Sequence, residues 1–328
     1  MNGGEVVPKI IPVIVIALFL PAAAAGQAFV PTHPVEIVVH NAPGGGSDVL
    51  ARFVSLLLER EKLIPVRNQV HNRTGGGGAT AMAYIAEKRG DAHTLALFTS
   101  AWVLTPMLAE EAKTQIWDMT PIARLVLESA LILVKADAPY QTLNDFIEAA
   151  KKEPGKLRQA GGSLQTRGNF VRLLLQKATG AQWSYISFPG GGERVTAILG
   201  GHMQLLVAEP QEIGEYVRRG TLRPLAQIAT KRLASYPNVP TIHEAGFNVR
   251  SDPTMRGVVA PSGISREAAA YWEGVFARMV KSPEWRKYLE DNQFEDGYQR
   301  GDETMKSSRE FAGQIRGMLR EAGLKVYR

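Results

Sequence analysis

Cysteine is absent from all 328 residues of the chain. Its absence excludes disulfide bonds, thiolate metal sites, cysteine nucleophiles and lipid attachment through an N-terminal cysteine. The six histidines offer no alternative metal site, because they are scattered without the spacing of metal ligands. We therefore predict neither a metal nor a cofactor.

A concentrated basic run is also missing, although the net charge is +6. Proteins that bind nucleic acid usually carry their basic residues as a patch or stripe. Nucleic acid is therefore not a predicted partner, and the surplus positive charge mildly favours an acidic small molecule. Hydrophobic residues make up 45% of the sequence, which is typical of a globular protein, and the length allows two domains.

The one long apolar run, residues 10–20, follows Lys9 and precedes a stretch of small residues. A positive residue, a short apolar run and an Ala-x-Ala exit together indicate a secretory signal peptide. A membrane anchor is the alternative, but the run is shorter than the ~20 apolar residues that cross a bilayer. We predict a signal peptide at residues 1–28, cleaved near Ala25 to Ala28, and export to the periplasm.

Beyond the signal segment, short β-branched runs alternate with helical patterns, which is typical of α/β units over a mainly parallel sheet. Residues 118–125 are interpreted as a connection into a second lobe. We predict a first lobe of residues 29–130 plus 252–328, a second lobe of residues 131–251, and a hinge where the chain crosses between them. The predicted strands are 35–39, 94–98, 131–134, 205–207 and 225–228, and the predicted helices are 48–61, 79–89, 143–152, 169–178, 194–199, 266–289 and 302–321.

The phrase Pro-Gly-Gly-Gly occurs twice, at residues 43–46 (the first glycine turn) and 189–192 (the second glycine turn). Each copy stands where a strand-like run passes into a helical pattern. Glycine there exposes backbone N–H groups, and the first turn of a helix adds unpaired N–H groups of its own. The two copies predict two lobes that hold one anionic ligand. For the first copy, a tight turn capped by Ser47 or Asp48 is the alternative.

Two further glycine-bearing loops are candidates for the same site. Residues 75–78 form a run of four glycines, which is either another wall of the site or a flexible turn. Residues 161–169 form a polar loop that enters a helix of the second lobe. Arg167 in this loop is suited to a bidentate pair with a carboxylate, and an exposed arginine in the first turn of a helix is the alternative.

Catalytic motifs are missing. The first glycine turn lacks the Gly-Lys-Ser/Thr ending of a P-loop and the Gly-x-Gly-x-x-Gly spacing of a dinucleotide fold. Ser47 lacks the second glycine of the Gly-x-Ser-x-Gly elbow, so the nucleophile and base of an exported hydrolase are not in evidence. Asp48 and Glu209 could act as a carboxylate pair, but nothing in the sequence places them together. We predict no catalytic residue and no enzyme.

Several motifs, in order along nearly the whole chain after residue 33, give it a family likeness. They are Val-Glu-Ile-Val-Val at 35–39, Ala-Pro-Gly-Gly-Gly-Ser-Asp at 42–48, Asn-Arg at 72–73, Phe-Pro-Gly-Gly-Gly-Glu at 188–193, Leu-Gly-Gly-His at 199–202, Val-Pro-Thr-Ile-His-Glu-Ala-Gly at 239–246 and Arg-Gly-Val-Val-Ala-Pro at 256–261. In these motifs the chain resembles the extracytoplasmic solute-binding proteins of tripartite tricarboxylate transporters, the Bug or TctC-type family.

The resemblance implies a two-lobed α/β periplasmic binding protein, of the Venus-flytrap and type II-like kind, that delivers carboxylates to integral-membrane transporter subunits. It also implies that the turn at residues 42–48 holds one carboxylate and that the loops at 161–169 and 188–192 set specificity. The chain departs from the family where Arg167 begins a helix, which favours a more anionic distal group on the ligand. We expect a monomer, and a module that presents its closed form to a membrane sensor kinase is the alternative function.

The candidate ligand-binding residues follow from the glycine turns, the polar loop and the resemblance taken together. They are Pro43, Gly44, Gly45, Gly46, Ser47, Asp48, Gly76, Gly77, Ser100, Gly162, Ser163, Thr166, Arg167, Asn169, Pro189, Gly190, Gly191 and Glu209.

Overall fold

A computed structural model of the chain describes residue 1 and residues 3–4, 28–162, 164, 166–188, 190–249, 252–321 and 325–328. The predicted signal peptide lies outside the described residues, apart from residues 1, 3, 4 and 28. Within the described part, no helix combines the length and the apolar character needed to cross a membrane.

The elements alternate as α/β units, and each of the five predicted strands falls within an observed strand. The strands are β1 Val35–Val39, β2 Asn68–Asn72, β3 Thr94–Thr99, β4 Thr120–Glu128, β5 Ala130–Lys135, β6 Arg158–Gly161, β7 Ser184–Ser187, β8 Leu205–Ala208, β9 Leu222–Ile228, β10 Thr254–Ala260 and β11 Glu295–Arg300. The helices are α1 Gly46–Arg60, α2 Ala79–Glu87, α3 Ala101–Leu108, α4 Leu143–Lys152, α5 Arg167–Thr179, α6 Gly191–Leu199, α7 Pro210–Arg218, α8 Arg266–Met279, α9 Pro283–Asp291 and α10 Gly301–Glu321.

The strands form two mixed sheets. The first sheet has the order β11-β4-β10-β3-β1-β2, and the second has the order β7-β6-β8-β5-β9. Four of the six strands in the first sheet point the same way, as do four of the five in the second. The strands that run in the opposite direction include β5, which enters the second sheet from the first, and β10, which enters the first sheet from the second.

Each sheet is covered by apolar side chains on both faces. In β1, Ile37 and Val39 pack into one cluster with helix α1, whereas Val38 packs into a second cluster on the opposite face. Strand β5 divides the second sheet in the same way, with Ile132 on one face and Leu133 on the other. This alternation is that of strands buried between two layers of helices.

The crossing from the first sheet to the second is a single residue, Ser129, between β4 and β5. Its hydroxyl donates a hydrogen bond to Glu295 Oε1 at 2.8 Å, which ties it to β11. The interpretation of residues 118–125 as a connection is therefore wrong, because most of that stretch is β4, paired on both sides. The lobe boundaries at 130/131 and 251/252 stay a prediction.

The predicted helix 266–289 is wrong as one helix, because the chain forms α8 and α9 there. Val280 is the C-cap of α8, and Ser282 begins a new helix by accepting a hydrogen bond from the Trp285 backbone N–H. Pro283 at the next position lacks an N–H group, which is tolerated in the first turn of a helix and not in its interior.

Candidate functional site

The first glycine turn carries the chain from β1 into α1 with backbone geometry that needs glycine. Gly44 has a φ of +79°, in the left-handed region that side chains rarely adopt. The Gly45 N–H donates to the Ala42 carbonyl at 3.0 Å, which closes the turn. Gly45 is the N-cap of α1 and has no side chain to cap it. The N–H groups of the first helical turn are thus left for an external acceptor.

Asp48 supports this turn from inside the protein. Its carboxylate is 2% exposed and accepts hydrogen bonds from the Gly44 N–H at 2.8 Å, from Asn72 Nδ2 at 2.9 Å and from Arg52 Nε at 3.0 Å. Burial raises the pKa of this carboxyl, but the bonds from Arg52, Gly44 and Asn72 outweigh it, and the pKa ends below its ordinary value. Asp48 therefore holds the turn in shape as a carboxylate, with both oxygens already bonded within the protein.

Arg256 joins the first glycine turn to the hinge. It lies on β10 and donates from Nη1 to Ser47 Oγ at 2.8 Å. A Cβ atom added to Gly46 would lie 2.8 Å from Arg256 Nη2, so the guanidinium packs directly against the start of α1. On its other side Arg256 donates from Nε to Glu128 Oε2 at 2.9 Å, and from Nη2 to the same oxygen.

Glu128 is the last residue of β4, and groups of the second lobe reach it. Its side chain is 1% exposed, and its Oε1 accepts a hydrogen bond from Gln211 Nε2 at 2.7 Å. Its backbone carbonyl accepts a hydrogen bond from Arg167 Nη1. Burial raises the pKa of Glu128, while Arg256 opposes that change. The carboxylate thus connects helix α7 to strand β10 across the boundary between the sheets.

Further ion pairs extend this arrangement into the second lobe. Arg167 Nη2 lies 3.4 Å from Glu209 Oε1, and Arg194 Nη2 lies 3.8 Å from Glu209 Oε2. Arg194 also donates to both oxygens of Glu212, at 2.9 and 2.8 Å. We call the set the arginine–glutamate chain, which consists of Arg256, Glu128, Arg167, Glu209, Arg194 and Glu212.

The second glycine turn has a different geometry from the first. Gly190 has a φ of −126°, which any residue can adopt, whereas its counterpart Gly44 has a positive φ. Helix α6 begins at Gly191, and a Cβ atom on Gly191 would lie 2.7 Å from Glu212 Oε1. One of the protein's own carboxylates therefore packs against this turn, and the two copies are not equivalent.

The polar loop before α5 is held by internal bonds. The Tyr185 hydroxyl donates to the Gly162 carbonyl at 3.1 Å and lies 3.1 Å from Thr166 Oγ1. Asn169 Nδ2 donates to the Leu164 carbonyl at 2.7 Å. These contacts assign Gly162, Thr166 and Asn169 a part in shaping the loop. Arg167 is 9% exposed, so the alternative of an exposed arginine is wrong.

Ser100 lies beside Arg167. Its hydroxyl accepts a hydrogen bond from the Met255 N–H at 2.9 Å, and its side chain lines a small cavity with Arg167, Phe170 and Asp252. This cavity opens between α3 of the first lobe and α5 of the second. The predicted residues Ser47, Ser100, Arg167 and Glu209 thus lie along the boundary between the two sheets.

The run of four glycines forms a tight 3-10 turn and not a loose one. All four residues, 75–78, have a positive φ, and Thr105 Oγ1 donates to the Gly77 carbonyl at 2.7 Å. A Cβ atom on Gly78 would lie 3.0 Å from Trp102 Nε1, which in turn donates to His40 Nδ1 at 3.1 Å. Burial, with a contribution from Arg256, lowers the pKa of His40 to about 3, so this histidine is neutral.

Two predicted residues, Ser163 and Pro189, lie outside the described residues. Sequence reasoning missed Glu128, Arg194, Gln211, Glu212 and Arg256. Arg256 could have been found as a charge inside an apolar strand, which is rare unless the charge is paired. Arg194 and Glu212 gave no such signal, because on amphipathic helices they read as solvated residues.

Known proteins match the chain over most of its length. Residues 51–324 match the protein family described as the tripartite tricarboxylate transporter family receptor. A protein of Cupriavidus necator, named as a UPF0065 protein in the gbd 5' region, is 28% identical over 305 residues, or 93% of this chain and 92% of that protein.

Two solved structures are similar to the whole described fold. The periplasmic binding protein BugD gives a TM-score of 0.81 at 20% identity. The R. palustris protein Rpa4515, solved with adipate, gives a TM-score of 0.82 at 22% identity. Each match covers 90% of this chain and 99% of the other. They confirm the predicted fold class, a two-lobed α/β periplasmic binding protein.

Proposed function

Because the chain belongs to the tripartite tricarboxylate transporter receptor family, we propose that it captures a small organic di- or tricarboxylate, citrate-like in size and charge, between its two lobes. After export to the periplasm, it delivers this ligand to integral-membrane transporter subunits as a monomer and catalyses no reaction. The proposal keeps the lobes at residues 29–130 plus 252–328 and 131–251.

One observation carries the proposal: the uncapped start of α1 lies against Arg256, and the arginine–glutamate chain connects Arg256 to two arginines of the second lobe. Arg256 donates to Ser47 in the first turn of α1 and to Glu128. The Glu128 carbonyl accepts a hydrogen bond from Arg167, and Arg167 and Arg194 both pair with Glu209. Backbone N–H groups and guanidinium groups are the donors that carboxylates prefer, and their bonds strengthen when water is excluded. A ligand with a carboxylate at each end could therefore bridge the two lobes.

The ligand class also has support from a structural relative. The R. palustris protein with a TM-score of 0.82 was solved with adipate, a dicarboxylate. Adipate carries a carboxylate at each end of a short chain, which suits a site with donors on two facing lobes. The absence of catalysis has support from Asp48, whose two oxygens are bonded and whose lowered pKa disfavours a role as a general acid.

A thermal-shift screen of the exported protein tests the ligand class. We expect citrate, tricarballylate, adipate or a shorter dicarboxylate to raise the melting temperature by mass action, because each would bind only the folded protein. Aromatic monoacids serve as the comparison set. Melting temperatures that respond to none of the di- and tricarboxylates would refute the proposal. For a protein that responds, co-purification with integral-membrane transporter subunits tests delivery.

Replacing Arg167 by methionine is expected to weaken ligand binding about ten- to hundredfold. The reason is the loss of a charge-assisted hydrogen bond to the distal carboxylate, which typically costs about 1.5–3 kcal/mol. Calorimetric titration with the best ligand of the screen measures the change. Lys177→Met in the last turn of the same helix is the control, and equal affinity in the two variants would remove Arg167 from the binding site.

A further inference from the structure

Glu212 is a carboxylate of the second lobe that lies against the second glycine turn and pairs with Arg194. It extends from α7 and packs against Gly191 at the start of α6. Both of its oxygens accept hydrogen bonds from Arg194 Nη2. Arg194 is therefore paired with an internal anion.

The charges around Glu212 balance before any ligand arrives. The arginine–glutamate chain holds three arginines and three glutamates, all of them partly or fully buried. A second carboxylate from a ligand adds negative charge to this balanced set, and buried unpaired charge is costly. The groups that face Glu212 are Arg194 of α6, Glu209 at the N-cap of α7, Glu128 of β4 and Arg256 of β10, with Tyr185 of β7 beside Arg194.

We propose that Glu212 is a specificity-determining residue, which the ligand's distal carboxylate displaces from Arg194 and which then takes up one proton from solvent. The inference rests on the proposed function. The net charge of the site is unchanged by this exchange. The ligand adds one carboxylate anion, which replaces Glu212 as the partner of Arg194, and the proton converts Glu212 to the neutral acid. A monocarboxylate, which reaches only the first glycine turn, leaves Glu212 in place and takes up no proton.

The electrostatics around Glu212 allow this exchange near neutral pH. Burial and then the neighbouring Glu209 raise the pKa of Glu212 to about 7, while Arg194 acts in the opposite direction. A ligand carboxylate beside Glu212 raises that pKa further, because a like charge disfavours the ionised form. The bound state then holds more protons than the free state at pH values above about 7. Dicarboxylate affinity should therefore fall as the pH rises through this range.

Calorimetric titration in two buffers of equal pH and different ionisation enthalpy measures the proton uptake. We use adipate as the dicarboxylate and hexanoate as its matched monocarboxylate, on the exported protein. At about pH 8 we expect uptake of roughly one proton per adipate and an affinity that falls up to about tenfold per pH unit. For hexanoate we expect no uptake.

Two variants assign the proton to its residue. Glu212→Gln should abolish the uptake and the pH dependence for adipate. Glu215→Gln is the control, because Glu215 lies one turn further along α7 and pairs with Arg218 and Arg219 at the surface. Uptake that persists in Glu212→Gln would assign the proton elsewhere and overturn the inference.

The outcome also separates this inference from the function on which it rests. Adipate or citrate that binds the unmodified protein without proton uptake overturns the role of Glu212 and leaves the proposed function intact. A protein that binds none of the di- and tricarboxylates of the thermal-shift screen loses the proposed function as well. The measurement on the unmodified protein decides the matter even if Glu212→Gln does not fold.

Discussion

Replacing Arg256 by methionine is expected to lower the free energy of unfolding by about 3–5 kcal/mol, because it leaves the buried Glu128 carboxylate without its cation. Glu128 is 1% exposed, and Arg256 donates to it through two nitrogens. Chemical denaturation measures the loss. Arg300→Met is the matched control, since Arg300 pairs with Glu273 in the same lobe but is 68% exposed, so its removal should change stability little.

Two observations separate the loss of charge pairing from the loss of packing. Adding Glu128→Gln to Arg256→Met should recover most of the stability, because the uncompensated charge is then gone. In the single variant, the stability should increase as the pH is lowered. Burial raises the pKa of Glu128, and removal of Arg256 takes away the largest group that opposes this change, so the folded state binds the proton first. A single variant with the stability of the double variant at every pH would contradict this account.

Gly46→Ala is expected to reduce carboxylate affinity about tenfold or more while the protein stays folded. The added Cβ would lie 2.8 Å from Arg256 Nη2, so the guanidinium must move away from the start of α1. Its bond to Ser47 is of the charge-assisted kind that typically contributes about 1.5–3 kcal/mol. Calorimetric titration with the best ligand of the screen measures the affinity.

The second glycine turn offers a matched control, because Gly192 is the last glycine of its Pro-Gly-Gly-Gly phrase, as Gly46 is of the first. Gly192→Ala introduces the same Cβ in the first turn of α6, where no atom lies within 4 Å of it. We expect that variant to bind as the unmodified protein does. Equal losses in Gly46→Ala and Gly192→Ala would show that helix entry in general, and not the contact with Arg256, determines binding.

Strands β1, β3, β5, β8 and the edge strand β9 could be predicted from the sequence, whereas β4 inside the first sheet and the edge strands β2 and β11 could not. β1 was predicted to the residue, because burial on both faces leaves mostly apolar, β-branched residues, here Val-Glu-Ile-Val-Val. β2 and β11 form the edges of the first sheet and contain mostly polar residues. An edge strand pairs on one side only, so its sequence carries less of the apolar signal on which the prediction depends.

The parts of the site that could be predicted are formed by residues close together in the sequence, and the parts that could not are formed by residues far apart in it. The turn before α1 could be predicted, because glycine, Ser47 and the following helix are neighbours in the chain. The pair of Glu128 and Arg256 could not, since 128 residues separate its members. Each looks like a solvated charge or a strand defect when read alone. Only the pairing of β4 with β10 brings them together.

The single connecting residue Ser129 limits how far the binding groups of one lobe can lie from those of the other. With one residue between β4 and β5, and with its hydroxyl bonded to Glu295, the end of β4 in the first sheet and the start of β5 in the second stay one residue apart. A linker of negligible length sets a high and nearly constant effective concentration of one lobe's groups around the other's. A ligand held by the first glycine turn therefore meets Arg167 and Arg194 as an intramolecular partner, whatever the concentration of protein.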